Sequence, residues 1–380
     1  MRNEFLIDPK LVFLNHGSFG ACSREVFETQ QRWALEMERN PVEFLTRRSA
    51  ALLREARVQL ARYLSAQVDD LVFINNATTG VNMVAASLAL RPGDEVLAND
   101  HEYGACDLTW QAHCERQGAS YRRVEIPLPF APEEFVPRLL AGVTPRTRVI
   151  FVSHITSVTG LIFPIGELCR AARERGILTV IDGAHAPGQI DVDLDALGAD
   201  FYTGNCHKWL CAPKGSAFFH ARPEHHERLQ PPTISWGMQD DPVNDACTGT
   251  TPLERRMQWQ GTRDLTAWLS VPAALQFQAA RDWPAVRARC HAMAVAAMHV
   301  MCERTGIPPA APDSSFGQMT LLPVPPQDRN ALRERLYDES GIEAQVTAHA
   351  GRTFVRLSVQ GYNTPQDVAH LLAAPAMQFD

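Results

Sequence analysis

Lysine is scarce in this chain: of 36 Lys and Arg residues, only Lys10, Lys208 and Lys214 are lysine. Lys10 lies in the terminal segment and Lys214 in a Pro-Lys-Gly turn. Lys208 stands within Tyr202-Thr203-Gly204-Asn205-Cys206-His207-Lys208-Trp209, between small polar residues and the apolar Trp209-Leu210. Such a setting desolvates an amine and lowers its pKa, because the charged form loses its hydration. A neutral amine attacks a carbonyl and forms a Schiff base, which a solvated ammonium cannot do. A lone lysine is far more often a surface charge, so this reading needs a second group.

That group lies upstream, in Ile177-Leu178-Thr179-Val180-Ile181-Asp182-Gly183-Ala184-His185. An apolar run followed at once by Asp-Gly reads as a buried parallel strand with a carboxylate at its C-terminal end. That edge of an open α/β sheet is where ligands bind. A carboxylate there needs a cation, and the protonated pyridine nitrogen of pyridoxal 5′-phosphate (PLP) is one. The pairing keeps the ring able to accept electrons from a carbanion at a substrate Cα. His185 is placed to reach the ring face or its phenolic oxygen. By itself Asp182 reads equally as a turn or cap residue.

Composition narrows the class. At 380 residues the chain can bury a sizeable core. With 45% hydrophobic and 21% charged residues it is ordinary globular material. A net charge of −7 leaves no basic excess for a nucleic-acid partner. No apolar run approaches a membrane span, and the opening residues do not read as a signal peptide. The nine cysteines are scattered, with no Cys-x-x-Cys pair, so neither a disulfide framework nor a metal site is indicated. A cytoplasmic, reduced protein without a metal is expected, and Cys206 is expected to be a small buried thiol.

The elements that must position Lys208 and Asp182 follow in order. Val12-Phe13-Leu14 is a short strand leading into the polar loop Asn15-His16-Gly17-Ser18-Phe19-Gly20. Helical spacing predicts helices over Val26 to Arg39, ended by Asn40-Pro41, and over Arg47 to Leu64. After the strand Leu71–Ile74, Asn75-Asn76-Ala77-Thr78-Thr79-Gly80 opens a helix whose free amides and dipole suit an anion. No P-loop and no Gly-x-Gly-x-x-Gly motif is present. The strand Glu95–Ala98 ends at Asn99-Asp100-His101-Glu102-Tyr103, where Tyr103 or His101 can stack on a flat ring. A strand over Val149–Val152 is closed by Ser153-His154-Ile155-Thr156-Ser157, and a helix over Ile165–Glu174 leads to the Asp182 strand. This alternation from 71 to 220 predicts a mainly parallel sheet with helices on both faces, all the candidate chemistry lying in loops after strands.

Beyond 220 the text turns irregular (Gln230-Pro231-Pro232, Trp236-Gly237, Asp240-Asp241-Pro242). Trp259-Gln260-Gly261-Thr262-Arg263-Asp264 is then a turn before a long helical stretch from Ala267. The expected division is a segment over 1–20 packed on a small domain, a large domain over 21–266 and a smaller C-terminal α+β domain over 267–380. In Arg352–Val359, alternation puts Arg356 on one face with Phe354 and Ser358, as either a carboxylate clamp or an edge-strand charge. Asn363-Thr364-Pro365 caps a last helix.

These stretches resemble the class V aminotransferase-fold PLP enzymes, and within them the isopenicillin N epimerase-like branch. The likeness spans nearly the whole chain: Leu14-Asn15-His16-Gly17-Ser18-Phe19-Gly20, Asn76-Ala77-Thr78-Thr79-Gly80, Asp100-His101-Glu102-Tyr103, Asp182-Gly183-Ala184-His185, His207-Lys208-Trp209-Leu210, Gln260-Gly261-Thr262-Arg263-Asp264 and Tyr362-Asn363-Thr364. It implies the PLP-dependent transferase fold (aspartate aminotransferase-like, fold type I), an α/β architecture. It also implies that Lys208 carries the Schiff base and that Asp182 pairs with the ring nitrogen. Thr78 and Thr79, with His207 and Asn205, would hold the phosphate. Tyr103 would stack on the ring, and His185 and Ser157 would bond near the phenolic oxygen. Arg356, beside Asn15, His16 and Gly17, would take the carboxylate of a small amino-acid substrate. The fold builds its sites at a homodimer interface, so Thr262 would reach the partner's phosphate. The chain departs from the common Ser-Gly-His-Lys at Asn205-Cys206. It also has no cysteine after Cys302, against the persulfide chemistry of desulfurases.

The expected activity is epimerisation or racemisation at Cα. The alternatives are β-elimination by a C–S lyase, which needs only Lys208 as base, and another class V activity such as transamination. A protein that only binds would have no need of both Lys208 and Asp182.

Overall fold

The computed structural model describes residues 1–239 and 245–379, so Asp240-Asp241-Pro242 lies outside the described residues. Its strands in chain order are β1 (Val12–Phe13), β2 (Leu71–Ile74), β3 (Glu95–Asn99), β4 (Ser120–Val124), β5 (Thr147–Ser153), β6 (Leu178–Asp182), β7 (Phe201–Asn205), β8 (Ala217–Ala221), β9 (Met319–Val324), β10 (Ile342–Glu343), β11 (Gln345–His349) and β12 (Arg352–Ser358).

Seven of these form one sheet in the order β2-β8-β7-β6-β5-β3-β4. The pairs from β7 through β4 are parallel, and β8 runs antiparallel to both β7 and β2. Strands covered on both faces must be apolar throughout, and Val149-Ile150-Phe151-Val152 of β5 is fully buried. The two-residue period of the strand then divides the core. Ile150 and Val152 pack into one apolar cluster, while Val149 and Phe151 pack into another across the sheet.

Register brings the chemistry to one edge. Ser153 lies opposite Asp182, Asp182 opposite Thr203, and Asn205 and Ile74 both opposite Ala217. The loops after β2, β5, β6 and β7 therefore leave the sheet at one level, the carboxyl edge.

The expected long helix from Ala267 is three helices, Thr266–Leu269, Val271–Ala279 and Trp283–Thr305. The second and third each begin with a proline in the first turn, where its missing N–H costs nothing, and the third is capped by the Asp282 carboxylate on the Ala285 amide. The helix expected over Arg47–Leu64 runs Ser49–Tyr63 and follows a π-helical turn over Phe44–Arg48. Near the C-terminus, the antiparallel sheet β11-β12-β9 packs on the helix Trp283–Thr305. The N-terminal segment joins this part of the molecule: β1 pairs with β10, Val12 facing Ile342, and the Ser358 amide donates to the Leu14 carbonyl. Among the described residues, no helix is long and apolar enough to cross a membrane.

Candidate active site

Lys208 lies just past the end of β7, and its amine enters a cavity of about 350 Å³. Burial pulls its pKa from 10.5 down to about 8. Its Nζ is 3.0 Å from His185 Nε2, and His185 Nδ1 accepts the indole N–H of Trp209 at 3.2 Å. The backbone is held from behind, where His16 Nε2 lies 3.0 Å from the Lys208 carbonyl and His16 Nδ1 lies 3.0 Å from the Tyr362 hydroxyl. Gly20, with φ of +70°, passes so close that a Cβ there would meet the His207 carbonyl at 2.0 Å, so glycine is required. Lys214 donates to the Gly20 carbonyl and ties the same two loops together.

Asp182, the last residue of β6, lines the same cavity. It is buried, and burial raises its pKa, outweighing the Ala184 amide and the nearby Lys208, which act to lower it. It accepts from the Ala184 amide at 2.9 Å and from the Cys106 thiol at 3.6 Å, and neither donor is a cation. At the helix Ala77–Ser87, the Asn76 side chain accepts the Thr79 amide and the Asn205 side chain accepts the Ala77 amide. Thr78 lies between these capped positions and lines the cavity with His207. The Ala77 and Thr79 amides expected to be free are thus already used, which leaves Thr78 and the helix dipole to suit an anion. A buried carboxylate without a cation, a desolvated amine and an anion-accepting helix start around one cavity fit the pyridine, aldehyde and phosphate of PLP.

A second cavity of about 600 Å³ adjoins the first and shares Ser18, Phe19, Tyr103, Ser157 and Lys208 with it. Arg356 forms part of its wall, only 3% exposed. Its guanidinium donates to the Ser157 carbonyl at 2.5 Å, to Ser18 Oγ at 2.9 Å and to Asn15 Oδ1 at 3.2 Å. Among the described residues no carboxylate forms an ion pair with it, and Nε has no acceptor. Burial lowers its pKa to about 10. A buried cation lacking an anion is a costly arrangement that a bound carboxylate relieves.

The structure thus brings Asp182, His185, Lys208, Asn205, His207, Thr78, Tyr103 and Ser157 to one cavity, and Asn15 and Arg356 to its neighbour. It separates the two stacking alternatives. Tyr103 lines both cavities, whereas His101 is turned away and held by Thr159 and the Ile126 carbonyl. His16 and Gly17 are not on the cavity surface: His16 sits behind Lys208, and Gly17 packs against Met319, Ser358 and Trp209. Thr79 spends its hydroxyl on Asn76, and Thr262 is exposed outside both cavities. Trp209, Cys106 and the Arg333 and Tyr337 wall of the outer cavity were not indicated by the sequence as site residues, whereas Phe19 belongs to the loop over 15–20 that it singled out. Only for Trp209 was there a signal, its place beside Lys208.

The fold and this site define an α/β enzyme of the PLP-dependent transferase type, aspartate aminotransferase-like, fold type I. Residues 22–371 match the family model described as aminotransferase class-V, and the chain belongs to that family. It is 38% identical to the isopenicillin N epimerase of Streptomyces clavuligerus, over 98% of this chain and 96% of that protein. It is also 28% identical to a probable chloroplastic L-cysteine desulfhydrase of Arabidopsis thaliana, over 96% of this chain and 82% of that protein. Among solved structures, it is similar to a C-DES mutant with glycine covalently linked to its PLP cofactor. The TM-score is 0.84 at 20% identity, covering 99% of each chain.

Proposed function

We propose that this enzyme is isopenicillin N epimerase-like and inverts the Cα centre of an amino acid, or of an amino-acid unit within a larger substrate. Its cofactor is PLP, which when bound acts as an electron sink for charge developing at Cα. In this reading, Lys208 is the amine that attaches the cofactor and the base that takes the Cα proton. Asp182 keeps the ring nitrogen protonated. Thr78, Asn205 and His207 hold the phosphate, with Thr79 fixing the helix start through Asn76; Tyr103 stacks on the ring, and His185 and Ser157 act near the phenolic oxygen. Arg356 and Asn15 hold the substrate carboxylate, with His16 and Gly17 supporting them from behind the wall. The chain works as a large domain over 21–266 and a small one over 267–380, with 1–20 packed on the latter. A homodimer in which Thr262 reaches the partner's phosphate completes the site. A cytoplasmic location is supported by nine cysteines outside any disulfide, seven of them buried.

The observation that carries the reading is the meeting of Lys208 and Asp182 in one cavity, with Arg356 in the next. Epimerisation is favoured over cysteine cleavage by the Streptomyces relative, and an open cavity of about 600 Å³ lined by Arg356 is compatible with a substrate larger than cysteine. β-Elimination remains the second reading, supported by the desulfhydrase relative. A panel of D- and L-amino acids in deuterated water tests both. Deuterium at Cα with the amino acid otherwise intact is the expected result, and release of pyruvate, ammonia or thiol overturns it in favour of elimination.

A further inference from the structure

Trp209 follows Lys208 in the chain, yet its indole reaches back to a different residue. Its Nε1 lies 3.2 Å from His185 Nδ1, and the ring is fully buried. An indole nitrogen can only donate. His185 Nδ1 must therefore present its lone pair, and in the neutral imidazole the ring proton sits on Nε2. That Nε2 is 3.0 Å from Lys208 Nζ. An N–H pointed at an amine is satisfied by the lone pair of the uncharged form, whereas an ammonium has no lone pair and would meet donor with donor. The groups around the pair are held as well. Gln278 donates to the Trp209 carbonyl, Gln189 donates to the His185 carbonyl, and the His16 ring lies 5.0 Å from the indole. The other titratable or charged groups facing His185 and Lys208 are Asp182, Arg356, His207, His16 and Cys106.

We propose that Trp209 is a positioning residue: by donating to Nδ1 it fixes His185 as the Nε2–H tautomer, and that tautomer in turn favours the uncharged, nucleophilic form of Lys208. The inference deepens the PLP reading above, since an uncharged amine is what attacks the cofactor's carbonyl. Without Trp209, His185 is free to carry its proton on Nδ1 and to accept from a Lys208 ammonium. One hydrogen bond changing sign at this amine raises its pKa by roughly half to one unit.

Two measurements test this. In the apoprotein labelled with ¹⁵N-histidine, the His185 signals, assigned by their loss in His185→Gln, should show Nε2 protonated and Nδ1 bare near neutral pH. The opposite tautomer, or an imidazolium, overturns the proposal without any variant of Trp209. The second measurement is the pH dependence of the rate at which apoprotein captures added PLP. Trp209→Phe should shift its midpoint upward by roughly half to one unit, and the shift should vanish when the same change is made in His185→Phe. An equal shift in both backgrounds means that Trp209 acts only through packing, and the proposal falls. Wild-type protein that captures no PLP at all would instead defeat the cofactor reading, while the tautomer result would still stand or fall by itself.

Discussion

An amine brought to about 8 by burial is half neutral at about that pH, and that shift is what the proposed nucleophilic role of Lys208 draws on. Lys208→Ala should lose activity together with the borohydride-sensitive visible absorbance of the loaded protein. In the wild type, PLP capture should quicken as pH rises toward about 8 and level off above it, because the deprotonated amine is the reactive form. Asp182→Asn should keep the fold but slow turnover by about 100-fold or more, the scale on which a preorganised charge acts on developing charge. Arg356 gives a sharper case, since it has no ion-pair partner among the described residues. Arg356→Met should weaken substrate binding by at least ~1.5 kcal/mol, about tenfold in KM. It should leave the melting temperature unchanged or higher, because a buried unpaired charge is removed. A marked loss of stability would mean that its contacts to Ser157, Ser18 and Asn15 serve the fold more than the ligand.

At the scale of elements, two capped helices separate structure from function. Thr364 closes a capping box at the helix Pro365–Ala373, and Asn76 caps the helix Ala77–Ser87 at the cavity. Removing either cap costs about 1 kcal/mol. Thr364→Ala and Asn76→Ala should therefore lower the urea midpoint alike, but only Asn76→Ala should also weaken PLP affinity. Strands such as β2, β5 and β6 were legible because a strand buried on both faces must be an unbroken apolar run. The helix Pro365–Ala373 was legible because its Asn363-Thr364-Pro365 cap is local. The antiparallel insertion of β8 between β7 and β2 was not, since pairing direction is a property of the assembled sheet and not of five residues. The half-exposed β4, with Arg122 and Arg123 in it, lacks an apolar signature. At the site, Lys208 and Asp182 announced themselves by context. The wall of the outer cavity did not, because Arg333 and Tyr337 sit on a helix whose sequence reads only as polar surface.

Across the whole molecule, burial holds several histidines uncharged. The pKa of His16 is lowered to about 3, and those of His101, His154, His207 and His220 to about 4, each chiefly by desolvation. The unfolded chain binds protons at these rings near pH 6.5 and the native one does not, so native stability falls as pH drops from about 6.5 toward 4. The slope is up to ~1.4 kcal/mol per pH unit for each ring. Glu102 works against this. Burial lifts its carboxyl to about 8, so its contribution is fully present only below the unfolded carboxylate value and is lost as pH rises through about 8. The histidines outnumber it, and the melting temperature should fall steeply between pH 6.5 and 4.5. A flat profile in scanning fluorimetry would mean that these rings are not desolvated as described.

The ring of His16 is hydrogen-bonded to the Lys208 carbonyl, and the turn ending at Gly20 lies against the same stretch of chain. The segment 16–20 is thus a strut of the cavity that Lys208 and Asp182 share. Trimming it, or engineering a fusion that pulls β1 away from β10, would be felt at Lys208 before it was felt anywhere in the central sheet.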